Sequence, residues 1–263
     1  MNLPFYKYQG TGNDFVMLDN RTNKYEDQLT REQIAFLCDR RMGIGADGLI
    51  LLSPSETEDF RMIYYNSDGG ESTMCGNGGR CLVAFAHYLG VIGSECTFDA
   101  VDGLHHASIE GEIVTLEMQV PQGYQKLNGN TVWLNTGSPH YVRFDEKSVL
   151  DLNVYQEGKQ IRYSEPYLSQ GGTNVNFVNV LESNRLKVRT YERGVEDETL
   201  SCGTGVTACA YAHLVETDGV GENVEIEVMG GKLEVIVKDR GTDQEKVFLK
   251  GPATYVFAGE ILM

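Results

Sequence analysis

Two short segments carry a cysteine in a setting suited to acid–base chemistry. Residues 71–80 read ESTMCGNGGR and residues 198–207 read ETLSCGTGVT. Both run Glu, then Ser or Thr, two further residues, and Cys-Gly-x-Gly, which places Cys75 and Cys202 about half a chain apart as an internal repeat. A small, apolar run follows each: CLVAFAHYLG from Cys81 to Gly90 and ACAYAHL from Ala208 to Leu214. These runs predict buried helices, the first ended by Gly90 in the usual C-terminal glycine position. Each cysteine then lies at a helix N-terminus, where unpaired N–H groups and a partial positive charge can bind a carboxylate and lower a thiol pKa.

Two such thiols facing each other have a definite use. One removes a proton from carbon while the other delivers a proton to the opposite face, which inverts a stereocentre. An amino acid's α-hydrogen is far less acidic than a thiol. Opposed helix N-termini offset part of that gap by placing N–H donors on the substrate carboxylate as negative charge develops there. A single Cys-Gly-x-Gly reads more readily as a small buried residue beside a glycine turn, so the duplication is what favours chemistry. Cys38, Cys81, Cys96 and Cys209 fall inside predicted helix or near a strand start and read as small apolar fillers.

The elements that must hold these loops are mostly short strands. The segment Thr97 to Pro121 alternates in hydropathy and is broken at Asp102-Gly103 and Gly111, and Glu222 to Val237 repeats the signal. In both halves the cysteine helix is followed by strands. An α+β fold of two pseudo-symmetric halves is therefore expected, 1–125 and 126–263, with the active site in the cleft between them and the C-terminal strand free to return to the first half. A further helix is expected from Thr30 to Arg41, with Thr30 and Gln33 as a capping box and Ile34, Leu37 and Cys38 on its apolar face.

Composition excludes other classes. A net charge of −16 repels phosphate backbones and anionic membrane surfaces, so neither nucleic acid nor membrane is an expected partner. No apolar run of signal-peptide type opens the sequence and no membrane-length run occurs, which makes a cytoplasmic address the expectation. Six cysteines are too sparse in 263 residues for a disulfide framework, and without a CxxC pair or a histidine cluster no metal is expected.

At this point the chain resembles the diaminopimelate epimerases. The resemblance rests on KYQGTGNDF (Lys7–Phe15), GIGADG (Gly43–Gly48), YNSDGGESTMCGNGGRC (Tyr65–Cys81), TGSPHYV (Thr136–Val142), GTNVNFV (Gly172–Val178) and YERGVEDETLSCGTG (Tyr191–Gly205), in family order along nearly the whole chain. It implies interconversion of LL- and meso-2,6-diaminopimelate in lysine and peptidoglycan-precursor biosynthesis, without pyridoxal phosphate, metal or any other cofactor. It also implies that Cys75 is proton donor and Cys202 proton acceptor in the LL to meso direction, with His140 and Glu192 tuning the two thiols. Substrate contacts carry over to Asn13, Asn66, Gly76, Asn77, Asn174, Glu192, Arg193, Gly203 and Thr204. The expected partner is the small amino-acid substrate, and a homodimer is left open.

Two positions depart from a common family form: Gly48 stands where some members have glutamine, and Ser138 where many have asparagine before Pro-His. Both shorten a polar side chain that could reach the distal end of the substrate. The proline and hydroxyproline racemases are the enzymatic alternative, but they typically carry histidine after the first Cys-Gly, where this chain has Asn77. A non-catalytic binding relative of the same fold is the other alternative, and the retention of Cys75, Cys202, His140 and Glu192 together speaks against it.

Overall fold

The computed structural model describes residues 2–217 and 222–263. The chain divides into two compact units, Met1–Leu116 with Gly251–Met263, and Glu117–Lys250. In the first unit, β1 (Asn2–Gly10) and β2 (Asn13–Asp19) form a hairpin, α1 (Arg31–Cys38) leads to β3 (Gly48–Ser53) and β4 (Phe60–Asn66), and α2 (Gly76–Tyr88) leads to β5 (Glu95–Ala100), β6 (Gly103–Glu110) and β7 (Ile113–Met118). The strand pairings along this order are β1–β2 antiparallel, β2–β3 parallel, β3–β4 antiparallel, β4–β5 parallel, then β5–β6 and β6–β7 antiparallel.

The second unit opens on β8 (Gln122–Asn128) and then runs β9 (Thr131–Asn135), β10 (Pro139–Phe144), α3 (Val154–Arg162), β11 (Asn174–Glu182), β12 (Arg185–Glu192), the short β13 (Asp197–Thr199), α4 (Gly203–Glu216), β14 (Asn223–Val228), β15 (Gly231–Lys238) and β16 (Lys246–Pro252). From β9 onward its pairings repeat those of the first unit step for step. β9–β10 is antiparallel, β10–β11 parallel, β11–β12 antiparallel and β12–β14 parallel, and β14–β15 and β15–β16 are antiparallel. The repeat seen in ten residues of sequence is thus a repeat of whole topology, in which α2 and α4 occupy equivalent places. The final strand, β17 (Thr254–Leu262), lies antiparallel on β1, as β8 lies on β9.

Each cysteine helix is the core of its own unit. Cys81 through Ala86 are all buried on α2, which packs against β1, β2, β3 and β6, while α4 buries Val206 through Ala210 and packs against β10, β11, β12 and β15. A helix packed on sheet along most of its length meets solvent mainly in its last turn, at His87 and Tyr88 on α2 and Glu216 on α4, which is why these segments are otherwise small and apolar nearly all round. Both helices begin earlier than their apolar runs, at Gly76 and Gly203. Glycine lowers local helix propensity, but here it is required by space: a Cβ on Gly78 would lie 2.9 Å from Ile50 Cδ1, and one on Gly205 would lie 2.5 Å from Asn176 Oδ1.

The first helix has the expected capping box, Thr30 Oγ1 accepting from Gln33 N–H while Gln33 Oε1 accepts from Thr30 N–H. It ends at Cys38 rather than at Arg41. Asp39 turns to an extended conformation and its carboxylate accepts from the N–H groups of Arg41 and Met42, which gives the chain a local alternative to another helical turn.

Candidate active site

In the first unit the sequence motifs converge on Cys75. This residue is the N-cap of α2, with extended backbone (φ −109°, ψ 123°) and no side-chain capping bond. Its sulfur lies 3.6 Å from Asn13 Oδ1, and the same oxygen accepts a hydrogen bond from Asn77 Nδ2 at 3.2 Å. Asn13 Nδ2 donates to Asp47 Oδ2 at 2.7 Å, so the amide is oriented with its oxygen toward the cysteine loop.

Asp47 is itself held by Arg40, which also forks onto Asp14, and Asp14 takes the buried Lys7 as a second cation. Burial alone would raise the Asp14 carboxyl, but hydrogen bonds and charge from Arg40 and Lys7 outweigh it and hold the pKa down at about 2. Lys7 also donates to the carbonyl of Gly45. The KYQGTGNDF and GIGADG segments are therefore one ion-paired scaffold that aims Asn13.

Under the loop lies Arg80, fully buried, donating to Asn77 Oδ1 at 3.0 Å and to Gly76 O at 3.3 Å. Burial lowers its pKa to about 10, so it remains a cation at neutral pH. Asn66 ends β4 opposite Gly48 and closes a backbone turn with Gly69 and Gly70. Its side chain is exposed and takes no part in the Cys75–Asn13–Asn77 group. At Gly48 a Cβ would lie 2.5 Å from Tyr64 Cε2 and 2.6 Å from Tyr65 O, so the ring of Tyr64 fills the space a longer side chain would need.

In the second unit Cys202 is the N-cap of α4 in nearly the same backbone conformation (φ −124°, ψ 111°). Its sulfur lies 3.5 Å from Thr204 Oγ1. Thr136 Oγ1 donates to Thr204 O at 3.1 Å, which ties the first turn of α4 to the TGSPHYV segment. His140, fully buried on β10, is bracketed by Ser138 Oγ, 3.0 Å from Nε2, and Asn176 Nδ2, 3.1 Å from Nδ1. Burial and then the charge of Arg193 push its pKa down to about 3, so the ring is neutral at neutral pH.

Asn174 pairs with His140 across β10 and β11, and donates to Ser138 Oγ and Pro139 O while its own oxygen accepts from the Arg193 N–H at 2.9 Å. Glu192 Oε2 accepts from Thr199 Oγ1 at 2.9 Å, in the strand pair that leads into the cysteine loop. Arg193 is half-buried, and burial followed by the nearby Arg162 lowers its pKa.

The expected residues thus fall into two groups. Asn13, Cys75, Gly76 and Asn77 come together in one unit, with Asn66 at its margin, and His140, Asn174, Glu192, Arg193, Cys202, Gly203 and Thr204 belong to the other. Each group joins a cysteine at a helix N-terminus to amide side chains, and the second adds hydroxyls. Sequence reasoning missed Asp47, Arg80, Asn176 and Thr190, whose hydroxyl donates to Asn176 Oδ1 at 3.0 Å, as parts of these groups. For Asn176 a signal existed: in a strand, Asn174 and Asn176 point to the same face. Among the described residues no cluster of three or more His, Cys, Asp or Glu side chains could hold a metal ion. Among them, too, no helix is long and apolar enough to cross a membrane.

Comparison with known proteins places the chain as a whole. The family model described as diaminopimelate epimerase matches residues 5–122 and 132–256. The diaminopimelate epimerase of Flavobacterium psychrophilum is 53% identical over 256 residues, covering 97% of this chain and 98% of the relative. That of Chlorobaculum tepidum is 42% identical over 261 residues, covering 97% and 99%. Among solved structures, a phenazine biosynthesis protein of the PhzF family from Bacillus anthracis superimposes with a TM-score of 0.78 at 16% identity, covering all of both chains. A hydroxyproline epimerase from Agrobacterium vitis does so with a TM-score of 0.74 at 15% identity, covering 99% and 92%. At such identities the solved structures establish the α+β fold, whereas the family match and the near full-length relatives establish more: this chain belongs to the diaminopimelate epimerase family.

Proposed function

We propose that the protein interconverts LL- and meso-2,6-diaminopimelate by a two-cysteine, cofactor-independent mechanism. The observation that carries this reading is the duplication: two cysteines cap topologically equivalent helices, each beside its own polar group, in a chain of this family. In the LL to meso direction the Cys202 thiolate takes the α-proton, and the electron pair of the broken C–H bond spreads into the substrate carboxylate. The Cys75 thiol then delivers its proton to the other face of the same carbon. Cys202 ends as thiol and Cys75 as thiolate, and the return reaction exchanges their roles.

Helix N-terminal N–H groups at Gly76, Asn77, Gly203 and Thr204 suit the carboxylate on which charge develops. Asn13, Asn66, Asn174, Glu192 and Arg193 offer donors, acceptors and charge of both signs for the rest of a zwitterion. Asn77 and the ERGV segment favour a primary ammonium over the ring nitrogen of proline. The same reading makes the enzyme a cytoplasmic one of lysine biosynthesis, with a homodimer as the assembly to be tested by light scattering.

The decisive experiment follows LL-diaminopimelate with the purified enzyme in D2O. Product should acquire α-deuterium while unreacted substrate stays largely protonated, and Cys75→Ala and Cys202→Ala should each lose at least about 10²–10⁴-fold in rate. Turnover of proline without turnover of diaminopimelate, or a fully active Cys75→Ala, would overturn the proposal.

A further inference from the structure

We infer that Ser138 and Thr204 form a directed hydrogen-bond relay between His140 and Cys202, with Ser138 as a positioning residue that obliges the Thr204 hydroxyl to donate to the cysteine sulfur. The inference rests on the reading of Cys202 as one of the two acid–base groups and assigns a role to a side chain that departs from the family's common form.

The direction of the relay follows from groups that have only one possible role. The Tyr141 carbonyl can only accept, and Asn176 Nδ2 lies 3.0 Å from it. Asn176 Oδ1 accepts from Thr190 Oγ1 at 3.0 Å. The amide is therefore oriented, and its second N–H points at His140 Nδ1, 3.1 Å away, which must accept. A neutral imidazole that accepts at Nδ1 carries its proton on Nε2, so His140 donates to Ser138 Oγ at 3.0 Å.

Asn174 is fixed in the same manner. The Arg193 N–H can only donate and meets Asn174 Oδ1, the Pro139 carbonyl can only accept and meets Asn174 Nδ2, and that same Nδ2 lies 3.2 Å from Ser138 Oγ. Ser138 Oγ thus accepts from both His140 and Asn174. With both lone pairs engaged, its own proton goes to Thr204 Oγ1 at 3.3 Å. Thr204, having accepted that bond, turns its proton toward Cys202 Sγ at 3.5 Å. No proton travels along this chain. It presents a fixed donor to the sulfur and so favours thiolate, and it does so without a positive charge on His140. An asparagine at position 138 would carry no hydroxyl to relay the direction.

The test reads protonation state and not turnover, so its failure is separable from failure of the proposed activity. In ¹⁵N-labelled protein at neutral pH, the His140 ring should show the Nε2–H tautomer. Thiolate absorbance, taken as the difference between each protein and its Cys202→Ala counterpart, should be present in the parent and fall by about tenfold in Thr204→Val and in Ser138→Ala. The conservative Thr204→Ser and Ser138→Thr variants should retain it, which separates loss of the hydroxyl from damage to the fold. An Nδ1–H tautomer would overturn the relay. So would an unchanged thiolate signal in Ser138→Ala, even if Thr204→Val had lost it, because Thr204 would then act alone.

Discussion

The two buried ring and guanidinium groups beside the cysteine loops show how burial decides what a side chain can contribute. His140 meets its site as a neutral ring: its pKa is pushed from 6.5 to about 3, with burial the largest cause and Arg193 the second. The unfolded chain therefore binds more protons than the folded one between these two values. His140's stabilising contribution is complete above about pH 6.5 and is lost as pH falls toward about 3. Urea denaturation across that interval should show stability falling with acid more steeply in the parent than in His140→Gln, and equal slopes would refute the assignment. Arg80 is the opposite case, a cation retained without a carboxylate partner among the described residues because it orients Asn77 and the Gly76 carbonyl. Replacing it with Met leaves those acceptors unsatisfied, which costs about 1–3 kcal/mol, but also removes an uncompensated buried charge. The two effects oppose each other in stability and not in activity. Arg80→Met should therefore lower kcat/KM by tenfold or more, on the order of the cost of misplacing a positioning group, with a smaller change in Tm than an ordinary core truncation. A collapse of Tm in parallel with activity would make Arg80 merely structural.

At the scale of elements, what was legible in the sequence was what is local. Cys-Gly-x-Gly followed by a small apolar run identified both cysteine helices because the pattern and its cause lie within one turn or two. Their starts were legible too, because each cysteine stands as N-cap directly before its helix, but the reason for the glycines was not: Gly78, Gly79 and Gly205 make room for β3, β7 and β11, which the sequence does not display. The same holds for Ser138, whose partners His140, Asn174 and Thr204 come from three elements brought into register only by the fold. Gly205 gives this a test. An alanine Cβ there would lie 2.5 Å from Asn176 Oδ1 and 3.2 Å from Cys202 Sγ, so something must shift. A displacement of that kind should cost about a hundredfold in kcat, with circular dichroism unchanged. Retained activity would mean that the first turn of α4 is softer than its packing suggests. The capping box of α1 provides the contrasting case, because no residue of either site lies on it. Thr30→Ala should cost about 1 kcal/mol, lowering Tm by about 2–4 °C in a chain of this size while leaving kcat within about twofold, the range of an ordinary surface substitution.

For the whole molecule, the informative feature is how the chain enters and leaves its two units. In the second, β8 and β9 form a hairpin in which Asn128 pairs with Thr131. In the first, the equivalent pair is β17 and β1, with Leu262 opposite Asn2. The C-terminal strand therefore stands to β1 as β8 stands to β9, the one pair meeting at the two ends of the sequence and the other joined by a turn. If the fold is a closed cycle of two equivalent units, those ends can be moved. A circular permutant in which an Asn-Gly turn replaces Met263 and Met1 and joins Leu262 to Asn2, and the chain is opened between Gly129 and Asn130, exchanges the roles of the two ends without altering a strand pairing. Asn-Gly suits a two-residue hairpin turn, and Gly129 has open space around its Cα, as expected of an exposed turn that tolerates cutting. The permutant should purify as a soluble protein with a single cooperative transition and should epimerise diaminopimelate within about tenfold of the parent, because every residue proposed to act keeps its neighbours. An insoluble product would mean that the β17–β1 pairing depends on chain order. A soluble but inactive one would mean that the β8–β9 turn shapes the second cysteine group in a way that strand pairing alone does not reveal.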